Sequence, residues 1–444
     1  MRILIICEYI APLHAVASIR WTKIAKYIKK HHPECDITIL TNQKLFQGIS
    51  KKDTLLEKDM MYFEYYIEFP NGLLAGIYEH MKQAGGKKIR HYVISNKYNQ
   101  SKSFSTNIKK ALFSAVHDLK DYGLYQNAKK KIKALPCDYD VIISSFGPAW
   151  PHRLAAYLKK KHKHLRWIAD FRDCYAGIKD DPVSFWMHKR FTMKYCASAD
   201  QILQVVKGLE TYTPTYIPTI VLPNGFDPDE RLCPKAFEKF SIVFTGLLYG
   251  EMRDIGIVCK VLRELCEEKK MNREDVEVSY AGPDGMLAAE LAGRYAAEDY
   301  LRDHGICPRQ QALAMQRRAA ILLQLNWNTE HEKCGWSGKM YEYMMAEKPI
   351  IYIVTGDVPY SEPSRKIHHL GGCCYEQCRH EETYPQMKAY ILEKYQEWKE
   401  TGNVSVQQDK EYIEQYSYSH IAEQVWQLIQ SQEERRKSDE STTA

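Results

Sequence analysis

RILIICEYIAPLHAVASIRWTKIAKYIKKHHPECDITILT, residues 2–41, decides how the chain is read. Residues 2–7 (RILIIC) are a continuous apolar run, the pattern of a strand buried on both faces. Residues 8–18 contain Pro12 and no glycine and read as a loop. Trp21, Ile24, Ala25 and Ile28 then recur at steps of three and four, which predicts an amphipathic helix. DITILT (36–41) is the next strand. Strand, helix and strand in this order form a βαβ unit, and such units build parallel sheets with helices on both faces.

The rhythm fades over residues 45–135, a Tyr- and Lys-rich stretch that reads as helices and loops inserted in the first domain. It returns in DYDVIIS (138–144), WIAD (167–170) and residues 201–205. Each of these strands ends in a polar or small-residue loop, where open α/β sheets bind ligands. PNGFDPDE (223–230) is dense turn punctuation and marks a boundary. A second series follows. Strands are expected at 240–245, 276–281, 320–325 and 349–354, and helices at 255–269, 310–319, 340–346, 387–401 and within 412–432. The expectation is therefore an α/β chain of two doubly wound domains, 1–230 and 231–410, facing across a cleft. Residues 411–432 read as a helix packing back toward the first domain, and 433–444 as a flexible tail.

The 444 residues admit two or three domains at about 150 residues each. No run of about 18 apolar residues occurs, and the first apolar run is too short for a signal peptide, so a cytoplasmic protein is expected. Thirteen scattered Cys, several inside apolar segments, read as reduced thiols. A net charge of +6 does not call for nucleic acid. The lysines are clustered, however, at Lys129, Lys130, Lys131 and Lys133 and at Lys159, Lys160, Lys161 and Lys163. They read either as solvated helix faces or as a peripheral surface for anionic lipid. The clusters lack the interleaved aromatics of a platform that stacks nucleic-acid bases.

Several chemistries are excluded. There is no GxGxxG, no GxxxxGK[ST], no HExxH, no CxxC pair and no GxSxG. Cys373, Cys374, Cys378 and His380 are poorly spaced for zinc, and no metal is expected. Three places remain. WIADFRD sets Asp170, Arg172 and Asp173 at a strand end, either as a structural ion pair or as a cluster that binds substrate. Gly246 follows a strand and leads to Arg253, either an ordinary turn with a solvated Arg or a close approach to a phosphate. In GWSGKMYEYMMAEKPII (335–351), Ser337, Gly338 and Lys339 open a helix, with Glu342 one turn in. They could cap it and complement its dipole, or hold a diphosphate and a ribose.

Taken together, DVIISSFGP (140–148), WIADFRD (167–173), LPNGFD (222–227), FTGLLYGEMRD (244–254), YAGPDG (280–285) and SGKMYEYMMAEKPII (337–351) resemble the retaining glycosyltransferases of the GT-B fold, in particular the family-four-like group. The resemblance covers most of the chain. It implies a nucleotide-diphospho-sugar donor bound by Gly246, Arg253, Gly282, Gly305, Pro308, Ser337, Gly338, Lys339, Met340 and Glu342. Arg253 and Lys339 would meet the diphosphate and Glu342 the ribose; Gly282, Gly305 and Pro308 would lie by the base. Asp170, Arg172 and Asp173 would be the catalytic group near the sugar. No metal would be required, because fixed cations and helix dipoles stabilise the leaving diphosphate. The implied reaction is sugar transfer with retention. The Tyr-rich, basic stretch 45–135 adds the expectation of a saccharide or lipid-linked acceptor of cell-surface polysaccharide or glycoconjugate biosynthesis, met on the inner face of the plasma membrane. Two features depart from the family pattern. The first glutamate of its E-x7-E motif falls at Cys334, and the Gly-Gly of its first loop is missing. The alternatives are an inactive GT-B homologue that binds a nucleotide sugar or a partner enzyme, and a sugar-nucleotide epimerase.

Overall fold

The computed structural model describes residues 1–13, 15–42, 52–72, 104–136, 138–172, 182–206, 213–231, 238–330 and 334–442, with backbone alone at 104–114, 182–184 and 432–442. It divides into two compact units, Met1–Gly225 with Tyr418–Ala444, and Phe226–Ser417. The first crossing falls five residues before the expected 230.

The first unit is a seven-stranded parallel sheet in the order β3-β2-β1-β4-β5-β6-β7. Its strands are β1 (Arg2–Ile6), β2 (Asp36–Asn42), β3 (Tyr65–Phe69), β4 (Val141–Ser145), β5 (Arg166–Phe171), β6 (Gln201–Gln204) and β7 (Thr219–Val221). Ile3 to Ile6 and the whole of β4 and β5 are buried, as continuous apolar runs require. Helix α1 (Val16–His31) covers one face. Helices α2 (Phe104–Lys133), α3 (Trp150–Lys161) and α4 (Pro182–Cys196) cover the other. Residues 45–135 thus hold more than helices and loops: Tyr65–Phe69 is an edge strand paired with β2, and Leu124, Ala128 and Ile132 of α2 are core. The edge strand escaped the sequence reading because it is only half-buried and carries no unbroken apolar run.

The second unit is a six-stranded parallel sheet, β10-β9-β8-β11-β12-β13. Its strands are β8 (Phe240–Thr245), β9 (Val276–Ala281), β10 (Leu301–Asp303), β11 (Ile321–Trp327), β12 (Ile350–Thr355) and β13 (Cys373–Glu376). One face carries α5 (Gly256–Glu267), α6 (Gly285–Gly293) and α9 (His380–Thr401), whose apolar stripes form one core. The other carries α8 (Gly338–Ala346), packed with Phe226 and Ile413; α7 (Arg309–Arg318) precedes β11. Phe226 bridges Ser417, so the two ends of the unit meet.

The chain then returns to the first unit. Helix α10 (Tyr418–Thr442) lays Ile421, Val425, Trp426 and Ile429 against Trp21, Ile24 and Ile28 of α1. The stretch expected as a tail continues this helix to Thr442, because residues 418–442 contain neither Gly nor Pro. Two doubly wound parallel sheets with helices on both faces confirm the expected α/β class.

Candidate functional site

Both sheets reverse their strand order beside their first strand, between β1 and β4 and between β8 and β11. The carboxyl ends at such switch points are where doubly wound folds bind ligands.

In the first unit, Asp170 is fully buried and has four donors around it. Arg20 Nη2 donates at 2.8 Å and its Nε at 3.2 Å, Trp21 Nε1 at 2.7 Å and Ser145 Oγ at 3.1 Å. Arg20 also donates to the Leu222 and Pro223 carbonyls at 3.0 and 2.8 Å. The ion pair at this strand end is thus with Arg20, not with its sequence neighbour Arg172. Arg172 instead clamps the loop after β4. Its Nε and Nη2 donate to the Phe146 and Gly147 carbonyls at 2.7 and 2.6 Å, and it lies 4.7 Å over the Tyr9 ring. Gly147 has φ +99°, and a Cβ there would meet Arg172 Nη2 at 2.7 Å, so only glycine fits. Behind the loop, Ser144 Oγ meets His152 Nδ1 at 2.8 Å; burial lowers the imidazole to about 3 and keeps it neutral. Glu8, the first residue of the loop expected over 8–18, is buried and accepts from Trp150 Nε1 at 2.9 Å. Asp173 lies outside the described residues.

In the second unit, Lys339 crosses from the first turn of α8 to the end of β8. Its Nζ donates to Thr245 Oγ1 at 3.1 Å and lies 3.8 Å from Glu342. Gly246 has φ +144°, and a Cβ there would stand 3.3 Å from Lys339 Cε, so the glycine leaves the lysine its path. A Cβ on Gly282 would collide with the Gly246 carbonyl and the Tyr280 hydroxyl, so these two loops are mutually close. Gly305 has φ +64° and donates its N–H to Asp303 at 2.8 Å. Pro308 caps the next helix, and Met340 is wholly buried beneath the site.

Arg253 donates to the Leu247 carbonyl at 2.7 Å and lies 4.6 Å from the Tyr249 ring and 5.5 Å from Trp327. Its Nε is buried with no hydrogen-bond partner among the described residues, as is the Ser337 Oγ at the opening of α8. Burial lowers the Lys339 pKa, and the nearby cations Arg253 and Arg309 add to the effect while Glu342 opposes it. Desolvation likewise lowers that of Arg253. Cations held close together at a helix N-terminus, with donors to spare, are suited to an anion.

Sequence reasoning missed Arg309. It lies 3.8 Å from Glu342 and 3.0 Å from Glu230. The available signal was a cation in the first turn of a helix, where the dipole disfavours it. Gln316 was missed as well; it reaches both Thr245 Oγ1, at 3.1 Å, and Glu342, at 3.4 Å. Cys334 is core. Its thiol faces the Tyr352 hydroxyl at 3.8 Å, and burial pushes it up to about 12. Among the described residues no group of His, Cys, Asp and Glu is arranged to hold a metal ion.

The two doubly wound units, each with one switch point, and the solved structures that match them define a protein of the GT-B fold class. No family model matches the chain, and no curated protein matches it. Solved structures match over nearly its whole length. A glycosyltransferase from Rickettsia africae is 12% identical, with TM-score 0.53, covering 97% of this chain and 98% of that one. A UDP-forming α,α-trehalose-phosphate synthase from Burkholderia xenovorans, in complex with glucose-6-phosphate, is 11% identical, with TM-score 0.52 and coverage of 97% and 100%. An E. coli trehalose-6-phosphate structure bound with UDP-2-fluoro glucose is 11% identical, with TM-score 0.56 and coverage of 97% and 99%. At these identities the likeness establishes the fold.

Proposed function

We propose that this chain is a retaining glycosyltransferase that takes a sugar from a nucleotide-diphospho-sugar. The observation that carries the reading is the cationic pair Arg253 and Lys339 beside Gly246 at the end of β8, with unpaired donors on Arg253 and Ser337. In this reading the bond between the anomeric carbon and the phosphate oxygen breaks with its electron pair moving to the diphosphate. Arg253, Lys339 and the amino end of α8 meet that charge, so no metal is needed. Glu342, oriented by Arg309 and Gln316, accepts from the ribose hydroxyls. Gly282, Gly305 and Pro308 lie by the base, with open space beside Gly305. Arg172 and Asp173 work near the sugar, while the buried Asp170 holds the Leu222–Pro223 segment in place through Arg20. The acceptor hydroxyl oxygen attacks the face the diphosphate leaves and passes its proton to the departing phosphate oxygen, and the configuration is kept. Solved relatives of the same fold hold UDP-2-fluoro glucose and glucose-6-phosphate, which supports a nucleotide-sugar donor and a saccharide acceptor. A lipid-linked acceptor of cell-surface polysaccharide synthesis, met at the inner membrane face, completes the reading.

Cys334 favours a second reading, an inactive homologue that only binds the donor. Its thiol is turned into the core and offers no carboxylate to the sugar. A thermal-shift panel of UDP-, GDP-, ADP- and dTDP-sugars tests both. A donor at about 100 times its Kd should add roughly 2.7 kcal/mol to wild type. The shift should vanish in Lys339→Ala and Glu342→Ala. Binding with slow donor hydrolysis supports the transferase, binding with none supports the inactive homologue, and no shift with any donor removes both.

A further inference from the structure

In the transferase reading the nucleoside sits by Gly282, Gly305 and Pro308, in the loops that follow β9 and β10. The diphosphate sits at Arg253 and Lys339, at the end of β8. Nucleoside, diphosphate and sugar are joined in that order, and the sheet runs β10-β9-β8-β11-β12-β13. The sugar therefore comes over the carboxyl ends of β11 and β12.

A carboxylate stands there. Glu362 opens the short helical turn Glu362–Lys366 that follows β12. A Cβ on Gly335, in the loop between β11 and α8, would lie 3.2 Å from Glu362 Oε2, so this side chain reaches across to the opening of α8. Its Oε1 accepts from Lys366 Nζ at 2.6 Å. Its Oε2 takes no hydrogen bond among the described residues, and the side chain is 36% exposed. An ionised carboxylate has about four acceptor positions, so most of this one remain open. The helical turn does not use Glu362 as its cap, because Ser361 Oγ accepts from the Ser364 N–H at 3.3 Å.

Buried side chains fix the place of this carboxylate. Glu376 is fully buried and accepts from the N–H groups of Tyr360 and Ser361 at 3.1 and 2.7 Å, which holds the residue before Glu362. Asn328, also buried, donates to the Val358 carbonyl at 2.8 Å and accepts from the Cys334 N–H at 2.8 Å. One side chain thus ties the loop after β12 to the loop after β11. Between these anchors Tyr360 is kept in the left-handed region at φ +55°, a strained conformation that the surrounding bonds hold.

We propose that Glu362 accepts hydrogen bonds from hydroxyls of the transferred sugar through Oε2, so that the acid absent at position 334 comes from the loop of the next strand. This role rests on the transferase reading for where the sugar lies. It selects donors whose sugar keeps a free hydroxyl on that side, and it leaves the nucleotide contacts untouched.

Isothermal titration of the full chain compares UDP-glucose, UDP-N-acetylglucosamine, GDP-mannose, ADP-glucose and dTDP-rhamnose with their free diphosphates. For a donor that wild type binds, Glu362→Ala should weaken the nucleotide sugar about tenfold or more while its diphosphate stays within about twofold. Retained diphosphate binding also shows that the variant is folded. Lys366→Met, which breaks the ion pair but leaves the carboxylate, should keep the wild-type ratio of the two affinities. An unchanged ratio in Glu362→Ala overturns the assignment and leaves the transferase reading standing. Equal loss of sugar and diphosphate overturns it too, since Glu362 would then only shape the opening of α8. A loss in Lys366→Met as large as in Glu362→Ala gives the effect to the ion pair and has the same consequence. Wild type that binds neither a nucleotide sugar nor a diphosphate removes both readings.

Discussion

Arg20 and Asp170 are nearly solvent-free, and the guanidinium is shared between that carboxylate and the carbonyls of Leu222 and Pro223. Removing one member strands the other, so Arg20→Met should lower unfolding stability by about 3–5 kcal/mol in a urea titration. A loss under about 1 kcal/mol would show that water reaches the carboxylate. Asp121 behaves oppositely. Burial pushes its carboxyl up to about 7, against the opposing pull of Arg153 and the Trp150 N–H. The folded chain then keeps a proton that the unfolded chain has lost. Stability on this account is present at low pH and falls as pH rises from about 4 to 7, by up to about 1.4 kcal/mol per pH unit. Asp121→Asn should flatten that slope; an unchanged pH profile would place the titration elsewhere. Lys339 carries a pKa lowered by burial, and only its charged form attracts a diphosphate. Donor affinity should therefore fall as pH rises through that lowered value, and Lys339→Met should bind weakly with no such dependence.

Helix α10 is the element whose place depends most on distant chain. Trp426 packs against α1, and His32 stacks on its ring at 4.0 Å while meeting Glu423 at 3.2 Å. Trp426→Ala should cost about 3–5 kcal/mol, measured on the transition that reports the first unit. The opening of α8 rests on a different device, the open path that Gly246 leaves for Lys339. Gly246→Ala should keep the fold but reduce the donor-induced thermal shift, since a Cβ strains the backbone at φ +144° and presses the lysine stem. Strands β8 and β9 were legible to the residue, because a buried parallel strand is an unbroken apolar run. The edge strands β3, β7, β10 and β13 were not, because such short strands carry no such run and are set by pairing with a single neighbour.

Across the whole molecule, the second unit is one continuous segment closed at Phe226 and Ser417, whereas the first needs both ends of the chain. Residues 226–417 expressed alone should unfold cooperatively and retain the donor shift. Residues 1–225 alone leave Trp21, Ile24 and Ile28 without the α10 side of their core and should not, unless 418–444 is fused back. A cooperative transition from 1–225 by itself would show that α10 is dispensable. No helix among the described residues is long and apolar enough to cross a membrane.

The sequence by itself determined the α/β class and the two parallel series, and it singled out Gly246, Arg253, Lys339 and Glu342 as candidates. Each of these is a local signal, an apolar run or a turn glycine beside a helix start, and local signals survive in one dimension. Tertiary structure alone decided that Asp170 answers to Arg20, 150 residues away, and that Arg172 serves the loop after β4. It also decided that Arg309 joins Glu342 and that α10 belongs to the first unit. A buried charge takes whichever partner the packed chain delivers, because desolvation makes pairing compulsory without saying with whom. The identity of that partner is set by strand order and helix crossing, which no local pattern of residues records.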